Sequence, residues 1–188
     1  MLAPRQVHSA RAVAVRAPWK QAEVADGLAT DCPGLALAIS TADCLPVLLA
    51  DSGAGVIGAC HAGWRGALAG VCEATVARMR ELGAQHIEAA LGPAISQPCY
   101  EVDMPFRAAF AAAGEEAQAQ PCFAPAERDG HWLFDLAGYV RLRLQAASVQ
   151  NVETLDHCTF TEGDMYFSHR RKPEDRGRQI AAILLEAA

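Results

Sequence analysis

The stretch Thr41–Gly66, TADCLPVLLADSGAGVIGACHAGWRG, contains two short apolar runs on either side of a turn. The runs are Leu45–Ala50 and Val56–Cys60, and a Ser-Gly-Ala-Gly segment lies between them at 52–55. Two apolar runs joined by a short glycine-rich segment are typical of a β-hairpin. We therefore predict that this stretch forms two adjacent strands, around which the rest of the domain is built.

Similar patterns continue outward from the hairpin. Further strands are predicted at Arg11–Arg16, Leu35–Ser40, Ile87–Leu91, Trp132–Phe134, Val152–Leu155 and Met165–Ser168. Helical spacing predicts helices at Ala67–Leu82 (ended by Gly83), from Asp103 to about Ala113, and at Leu136–Ala147 with Asp135 as N-cap. The polar stretch Gly114–Arg128 is interpreted as a surface loop, and Arg178–Ala188 as a closing strand or a helix. This alternation predicts an α/β fold, and the hairpin favours a mixed sheet over a purely parallel one.

Composition limits the class of protein. A chain of 188 residues, 52% hydrophobic and 20% charged, is expected to form one domain with a full core. Its net charge of −6 argues against binding to nucleic acid or to an acidic membrane surface, because both need a basic face. The chain has no apolar stretch of the ~20 residues that span a bilayer. Seven cysteines without a CxxC pair, and an N-terminus without a signal-peptide pattern, predict a cytoplasmic protein.

Three side chains suited to metal binding lie where β-like runs meet loops: His8, Cys44 and His61. Two imidazoles and one thiolate form a good ligand set for zinc, and three ligands leave a fourth position open, as in catalytic zinc sites. Their separations of 36 and 17 residues match no regular zinc motif, and each residue alone is more often structural. The polar, glycine-bearing surroundings, with Asp43 before Cys44 and Arg65 after His61, favour a site.

Cationic residues predict an anionic substrate. Arg65 lies in a Gly-x-x-Gly turn just before the predicted helix at 67–82, and a helix N-terminus offers free N–H groups to phosphate. A second cationic group follows His169 and consists of Arg170, Arg171 and Lys172. Arginine is suited to bidentate recognition of oxyanions. We expect Arg65 to make the main contact with phosphate or ribose, and Arg170 and His169 to assist.

Five motifs in this order resemble one known family. They are QVHSA (6–10), TADCLPVLL (41–49), HAGWRG (61–66), LGPAISQPCYEV (91–102) and FSHRR with GRQ (167–171 and 177–179). The chain is identified by them as similar to the YfiH-like family, also called the laccase-domain or polyphenol-oxidase-type family, whose members are mostly described as purine nucleoside phosphorylases. The resemblance extends over nearly the whole chain, from Gln6 to Gln179.

The resemblance implies a fold, a metal and an activity. The fold is a single layered α/β sandwich with mixed β-sheets over 1–188. His8, Cys44 and His61 are implied as the zinc ligands, and with Arg65 they are the predicted catalytic residues. Copper is a possible substitute for zinc. The implied reactions are phosphorolysis of adenosine, inosine and methylthioadenosine, and deamination of adenosine, so the expected partners are purine nucleosides and phosphate.

The sequence departs from the family pattern in two respects. Family members usually carry about 60 more residues before the QVH motif, so this domain is expected to lack their N-terminal segment. Ser9 stands where the family usually has glycine, which matters only if that position needs a positive φ.

Three other functions remain as alternatives: a metal-free cysteine hydrolase with Cys44 as nucleophile, a copper-dependent phenol oxidase, and a non-enzymatic partner-binding domain. Six histidines without a His-x-His pair argue against a multicopper oxidase. The oligomeric state is left open.

Overall fold

The fold is given by a computed structural model that describes residues 1–186. Within that part of the chain the strands are β1 Ala12–Ala14, β2 Gly27–Thr30, β3 Ala36–Thr41, β4 Leu45–Asp51, β5 Val56–Ala62, β6 Glu88–Leu91, β7 Glu101–Val102, β8 Phe123–Pro125, β9 Trp132–Phe134, β10 Val152–Thr154 and β11 Gln179–Leu184. The α-helices are α1 Trp64–Ala69, α2 Val71–Glu81, α3 Met104–Ala112, α4 Glu116–Ala119 and α5 Leu136–Ala146. None of these helices has the length and apolar character needed to cross a membrane.

The main sheet has six strands in the order β1-β2-β5-β4-β6-β10. Its four central strands pair antiparallel, and the two outer pairs, β1 with β2 and β6 with β10, are parallel. The strands β4 and β5 form the predicted hairpin, with Leu45 opposite Ala62 and Asp51 opposite Val56. The predicted α/β fold with mixed sheets is therefore confirmed.

Layers cover both faces of this sheet. On one face lies α2, which packs against β1, β2 and β5, while α5 packs beside it. Gly58 of β5 permits this close approach, since a Cβ there would lie 2.7 Å from the sulfur of Met79 in α2. On the other face, the antiparallel pair β3–β11 covers a second apolar cluster that includes Leu28, Leu37 and Ile57.

A third, small sheet lies beside α3 and carries an aromatic cluster. Its strands run in the order β7-β9-β8. Phe110 of α3 is fully buried and lies 5.2–5.5 Å, centroid to centroid, from Phe123, Phe134 and Tyr139. These rings join the small sheet to α5 and so to the main core.

Several sequence predictions were wrong or incomplete. The helix predicted at 67–82 begins at Trp64 and is broken into α1 and α2 by Gly70, whose φ of 97° is left-handed. The stretch 114–128 is not a surface loop: it contains α4, a 3-10 turn and β8, and it buries Ala119 and Cys122. Residues 165–168 form no strand, and the sequence pattern did not reveal β2. The open choice at 178–188 resolves to the strand β11, and residues 187–188 lie outside the described residues.

Candidate metal centre

The three predicted ligands meet at one end of the main sheet. Cys44 directly precedes β4 and His61 is the penultimate residue of β5, so the antiparallel register of the hairpin places them at the same end. His8 approaches from the N-terminal segment. One donor atom from each residue lies within 4.8 Å of the others. This is the only group of three or more such donors found among residues 1–186.

The distance between two of the three donors fits a tetrahedral ion. The Sγ of Cys44 lies 3.7 Å from Nε2 of His8. With Zn–S of about 2.3 Å and Zn–N of about 2.05 Å, a tetrahedral angle separates sulfur and nitrogen by about 3.6 Å. The rings of His8 and His61 meet edge to face with centroids 4.7 Å apart. The spacing of Cys44 and His8 therefore suits zinc, and the third donor, from His61, lies within 4.8 Å of both.

Asp26 holds this centre together, and sequence reasoning missed it. Its fully buried carboxylate accepts the Nδ1–H of His61 at 2.9 Å, which leaves Nε2 of that ring free for a metal. The same carboxylate accepts the backbone N–H groups of Val7, His8 and Ser9 at 2.7–3.2 Å. A carboxylate that orients a metal-binding histidine is a usual outer partner of zinc sites. An acidic residue directly before a four-residue strand gave no periodic signal that could have identified it.

Without a bound ion, hydrogen bonds and neighbouring charges favour the charged forms of Cys44, His61 and Asp26. Burial raises the pKa of the Cys44 thiol, but hydrogen bonds to His61 and His8 and their positive charges outweigh it and lower that pKa to about 7. Burial lowers the pKa of His61, and its hydrogen bonds to Asp26 and Cys44 outweigh this and raise it to about 9. For Asp26, burial is likewise outweighed, chiefly by its bonds from His61 and Ser9, and its pKa falls well below the usual range. A thiolate is the form of cysteine that binds a metal.

Backbone conformations at the centre are unusual. His8 has φ of 61° and Asp43 has φ of 83°, and among residues 1–186 only Ser148 joins them as a non-glycine residue with positive φ. Such conformations are costly for most residues and cluster at functional sites. Gly63 is needed for space, because a Cβ there would lie 2.8 Å from Cδ2 of His8 and 2.9 Å from Sγ of Cys44.

The replacement at Ser9 does not disturb this geometry. Ser9 is not among the positive-φ residues, so the position does not require glycine. Its hydroxyl donates to Oδ2 of Asp26 at 2.8 Å, and its backbone N–H donates to the same oxygen at 2.7 Å. The serine therefore adds a hydrogen bond to the carboxylate that orients His61.

Two cavities meet at His8 and Cys44, and His61 lines the larger of them. The larger has a volume of about 620 Å³, and its polar lining comprises Gln6, His8, Ser40, Thr41, Cys44, His61, Arg65, His169 and Arg178. The smaller, of about 170 Å³, shares His8, Cys44, Arg65 and His169 and adds Trp64, Ile95, Tyr100, Leu136 and Arg170. His8 and Cys44 thus lie between a polar cavity and a partly aromatic one.

The predicted cationic residues have different positions. Arg65 is exposed in the first turn of α1, with its guanidinium 4.4 Å from the ring centroid of Trp64, and it lines both cavities. His169 also lines both. Arg170 lies over Tyr100 at 5.2 Å and lines only the smaller cavity of the two. Arg171 is turned away and donates to three backbone carbonyls, so it acts in the structure of its loop.

Asp43 positions a loop through the hydrogen bonds that its carboxylate accepts. Its carboxylate accepts the hydroxyl of Thr159 at 2.7 Å and the backbone N–H of Arg170 at 2.6 Å. These bonds hold the segment with His169 and Arg170 against the metal centre. Asp43 therefore supports the wall of the smaller cavity, while Asp26 supports His61.

Comparisons with known proteins place the chain among related sequences. The family model described as "Multi-copper polyphenol oxidoreductase laccase" matches residues 1–186. A purine nucleoside phosphorylase of Deinococcus radiodurans is 43% identical over 182 residues, which cover 95% of this chain and 67% of that protein. The adenosine deaminase RL5, from an unknown prokaryotic organism, is 33% identical over 196 residues, covering 97% of this chain and 74% of that protein.

A solved structure shows the same fold. The crystal structure of the Bacillus licheniformis hypothetical protein YfiH matches with a TM-score of 0.84 at 30% identity. The match covers 98% of this chain and 74% of YfiH. The chain thus spans about two thirds to three quarters of the length of these three proteins.

Proposed function

Because the chain belongs to the YfiH-like laccase family, we propose that it is a zinc-dependent purine nucleoside phosphorylase that also deaminates adenosine. The substrates of the phosphorolysis are adenosine, inosine and methylthioadenosine. The observation that carries the proposal is the convergence of His8, Cys44 and His61, of which His8 and Cys44 line two cavities of different character. Relatives named purine nucleoside phosphorylase and adenosine deaminase support the reaction class.

The donor set favours zinc. Two imidazole nitrogens and a thiolate suit this ion, and the 3.7 Å between Cys44 Sγ and His8 Nε2 is close to the tetrahedral value. Copper can replace it in vitro, since divalent copper stands at the top of the affinity order for such ligands. When bound, zinc supplies Lewis-acid polarisation of an oxygen at the position that the three residues leave open.

The two cavities divide the substrate between them. The smaller cavity has the aromatic walls Trp64 and Tyr100 and suits a flat purine base. Burial raises the pKa of Tyr100, so its hydroxyl stays protonated at neutral pH and can donate a hydrogen bond. The larger, polar cavity contains Arg178 and Ser40 and suits phosphate and ribose.

Phosphorolysis then depends on the residues shared by both cavities. A phosphate oxygen attacks the anomeric carbon of the ribose, the glycosidic bond breaks, and the purine leaves with its electron pair. Arg65 and His169 line both cavities, and this supports a role for Arg65 in holding the phosphate against the sugar. Asp26 keeps the ring of His61 fixed while this occurs.

A cysteine hydrolase is the second candidate, because Cys44, His61 and Asp26 also have the order of a nucleophile, a base and an orienting carboxylate. The position of His8 favours the metal site over the hydrolase, since a hydrolase of this kind does not need a second imidazole 3.7 Å from the thiol. The two functions differ in their response to chelators: the phosphorylase loses activity, whereas the hydrolase keeps it and is inactivated by thiol alkylation.

The test is phosphorolysis by purified protein loaded with one equivalent of zinc. Inosine with phosphate should yield hypoxanthine and ribose 1-phosphate, and omission of phosphate should stop the reaction. His61→Ala and Cys44→Ala should lose zinc and activity together while circular dichroism shows a folded protein. Full activity in the zinc-free protein would refute the proposal, and activity on a thioester or amide that resists chelation would support the hydrolase.

A further inference from the structure

A second thiol site lies at a cavity that the metal centre does not use. This third cavity, of about 410 Å³, is lined by residues that include Ser96, Gln97, Cys158, Thr161 and Glu162. Cys158 is almost buried in its wall, with 9% of its surface exposed. The sulfur accepts hydrogen bonds from the hydroxyl of Ser96 at 3.0 Å and from the backbone N–H of Ser96 at 3.4 Å.

This environment differs from that of Cys32, a thiol that is also partly accessible. The Sγ of Cys32 faces two acceptors, the carbonyl of Arg16 and the carboxylate of Asp31, each at 3.5 Å. Acceptors keep the proton on a thiol, whereas donors stabilise the thiolate. Burial raises the pKa of Cys158, but hydrogen bonds from Ser96 and Thr161 outweigh it and lower that pKa to about 6.

A second cysteine lies next to this sulfur. Cys99 ends the 3-10 turn that begins directly after Ser96, and its backbone N–H donates to the carbonyl of Ser96 at 3.0 Å. The two cysteines therefore share Ser96 as a neighbour, and burial together with the charge of Cys158 raises the pKa of the Cys99 thiol. Cys158 is thus stabilised as a thiolate and Cys99 as a thiol.

We propose that Cys158 and Cys99 form a peroxide-sensitive pair in which Cys158 is the reactive thiol, Ser96 is its hydrogen-bond donor and Cys99 is the resolving thiol. The ligand of this site is a hydroperoxide, with hydrogen peroxide as the smallest member of the class. The cavity gives such a molecule access to the Cys158 sulfur.

The chemistry balances with peroxide as the oxidant. The Cys158 thiolate attacks one peroxide oxygen, the O–O bond breaks, and the departing hydroxide takes up a proton to become water. The Cys99 sulfur then attacks the sulfenic acid, an S–S bond forms, and the S–OH oxygen leaves as water with the proton of Cys99. Two thiols lose two electrons in all, and one peroxide becomes two molecules of water.

The pair is joined to the metal centre through its neighbours in sequence. Cys99 precedes Tyr100, a wall of the smaller cavity, and Cys158 precedes Thr159, whose hydroxyl donates to Asp43 beside Cys44. A disulfide bond between Cys99 and Cys158 therefore displaces the neighbouring residues Tyr100 and Thr159. Oxidation should therefore change the shape of the smaller cavity.

The experiment exposes the reduced, zinc-loaded full chain to hydrogen peroxide at pH 7, blocks the remaining thiols with N-ethylmaleimide, and maps the peptides by mass spectrometry without reduction. We expect a linked pair of peptides containing Cys99 and Cys158, while Cys32 carries maleimide. In Cys99→Ser, a dimedone adduct should accumulate at Cys158. Unlinked peptides, together with a Cys158 that reacts no faster than Cys32, would overturn the proposal.

The matched variant is Ser96→Ala, which removes only the hydroxyl donor. Alkylation of Cys158 by iodoacetamide at pH 7 should become about two- to tenfold slower, as expected when a hydrogen bond to a thiolate is lost and its pKa rises by one or two units. The rate at Cys32 should not change, which controls for altered reagent access. An unchanged rate at Cys158 would show that Ser96 does not activate it.

The effect on catalysis rests on the proposed function and is measured separately. Peroxide-treated protein should show at least a twofold higher KM for inosine at unchanged zinc content, and reduction with dithiothreitol should restore it. Cys99→Ser should show no such dithiothreitol-reversible change. If the peptides link and KM stays the same, the thiol site stands and its coupling to the metal centre is refuted. If no phosphorolysis is found, the peptide map still decides the thiol chemistry.

Discussion

Replacing Asp26 with asparagine tests how the metal centre is held. Asp26→Asn keeps the volume of the side chain and removes its charge. The carboxylate accepts five groups: the ring N–H of His61, the hydroxyl of Ser9, and the backbone N–H groups of Val7, His8 and Ser9. An amide has one acceptor oxygen, so its nitrogen would face N–H donors whichever way the group is turned.

The magnitude follows from those contacts. If the amide oxygen faces His61, the amide nitrogen lies against the backbone N–H of Ser9, which now donates to Oδ2 at 2.7 Å. Losing a hydrogen bond to a buried charged acceptor costs about 1.5–3 kcal/mol of stability. Removing the carboxylate partner of a metal-binding histidine typically weakens metal affinity by about 10- to 100-fold. We expect Asp26→Asn to show both effects, with the protein still folded.

The assay measures zinc affinity by competition with a chromogenic chelator, and stability by urea unfolding of the zinc-free protein. Asp31→Asn is the matched control, since Asp31 pairs with Arg16 at the surface and should leave zinc affinity unchanged. A folded Asp26→Asn protein that binds zinc within twofold of the wild type would refute the argument that this carboxylate orients His61. A loss of affinity in the control of the same size would show a general effect of charge.

Four further predictions concern other parts of the chain. Gly63→Ala should weaken zinc binding at least about tenfold, because its Cβ would lie 2.8–2.9 Å from two donor side chains, whereas Gly53→Ala meets its nearest atom at 3.5 Å and should bind zinc normally. Arg65→Ala should raise KM for phosphate about tenfold or more, as expected for a lost charged hydrogen bond, with zinc content unchanged in the same preparation. Asp51 accepts three backbone N–H groups that lower its pKa. It therefore stabilises the fold above its unfolded pKa of about 3.9 and loses that effect as pH falls through its lower folded pKa. In urea unfolding, Asp51→Asn should reduce the pH dependence of stability below about pH 5, and an unchanged slope would contradict this. Phe110→Ala should cost about 3–5 kcal/mol in the same assay, because the ring is fully buried among other aromatic rings.

The proximity of two of the three donor residues, Cys44 and His61, was predictable from local sequence. A hairpin with a short turn brings Cys44 and His61 to the same end whatever the rest of the chain does, because the register of β4 and β5 is fixed by the turn. The position of His8 was not accessible in this way. It depends on Asp26 and on β2, a four-residue strand with the sequence GLAT that has no alternating pattern. Its pairing with β1 on one side and β5 on the other gives that segment a strand conformation.

Two other errors have different physical origins, one in a local backbone conformation and one in contacts that are distant in sequence. Apolar spacing in 67–82 indicates a helix correctly, but it does not reveal that Gly70 adopts a left-handed φ and starts a new helix. The stretch 114–128 is polar in composition, and its few apolar members, such as Cys122 and Phe123, are drawn inward by the aromatic cluster around Phe110. Composition reports an average, whereas burial depends on a few side chains.

The two carboxylates near the centre explain how strained backbone can be maintained there. Positive φ at His8 and Asp43 opposes folding, and local structure alone would relax it. At His8 the strain is offset by Asp26, which accepts the N–H groups on both sides of it. At Asp43 it is offset by the residue's own side chain, which binds Thr159 and Arg170, more than 100 residues away in sequence. Both acids therefore act as anchors rather than as metal ligands, and the donor set is left with two nitrogens and one sulfur.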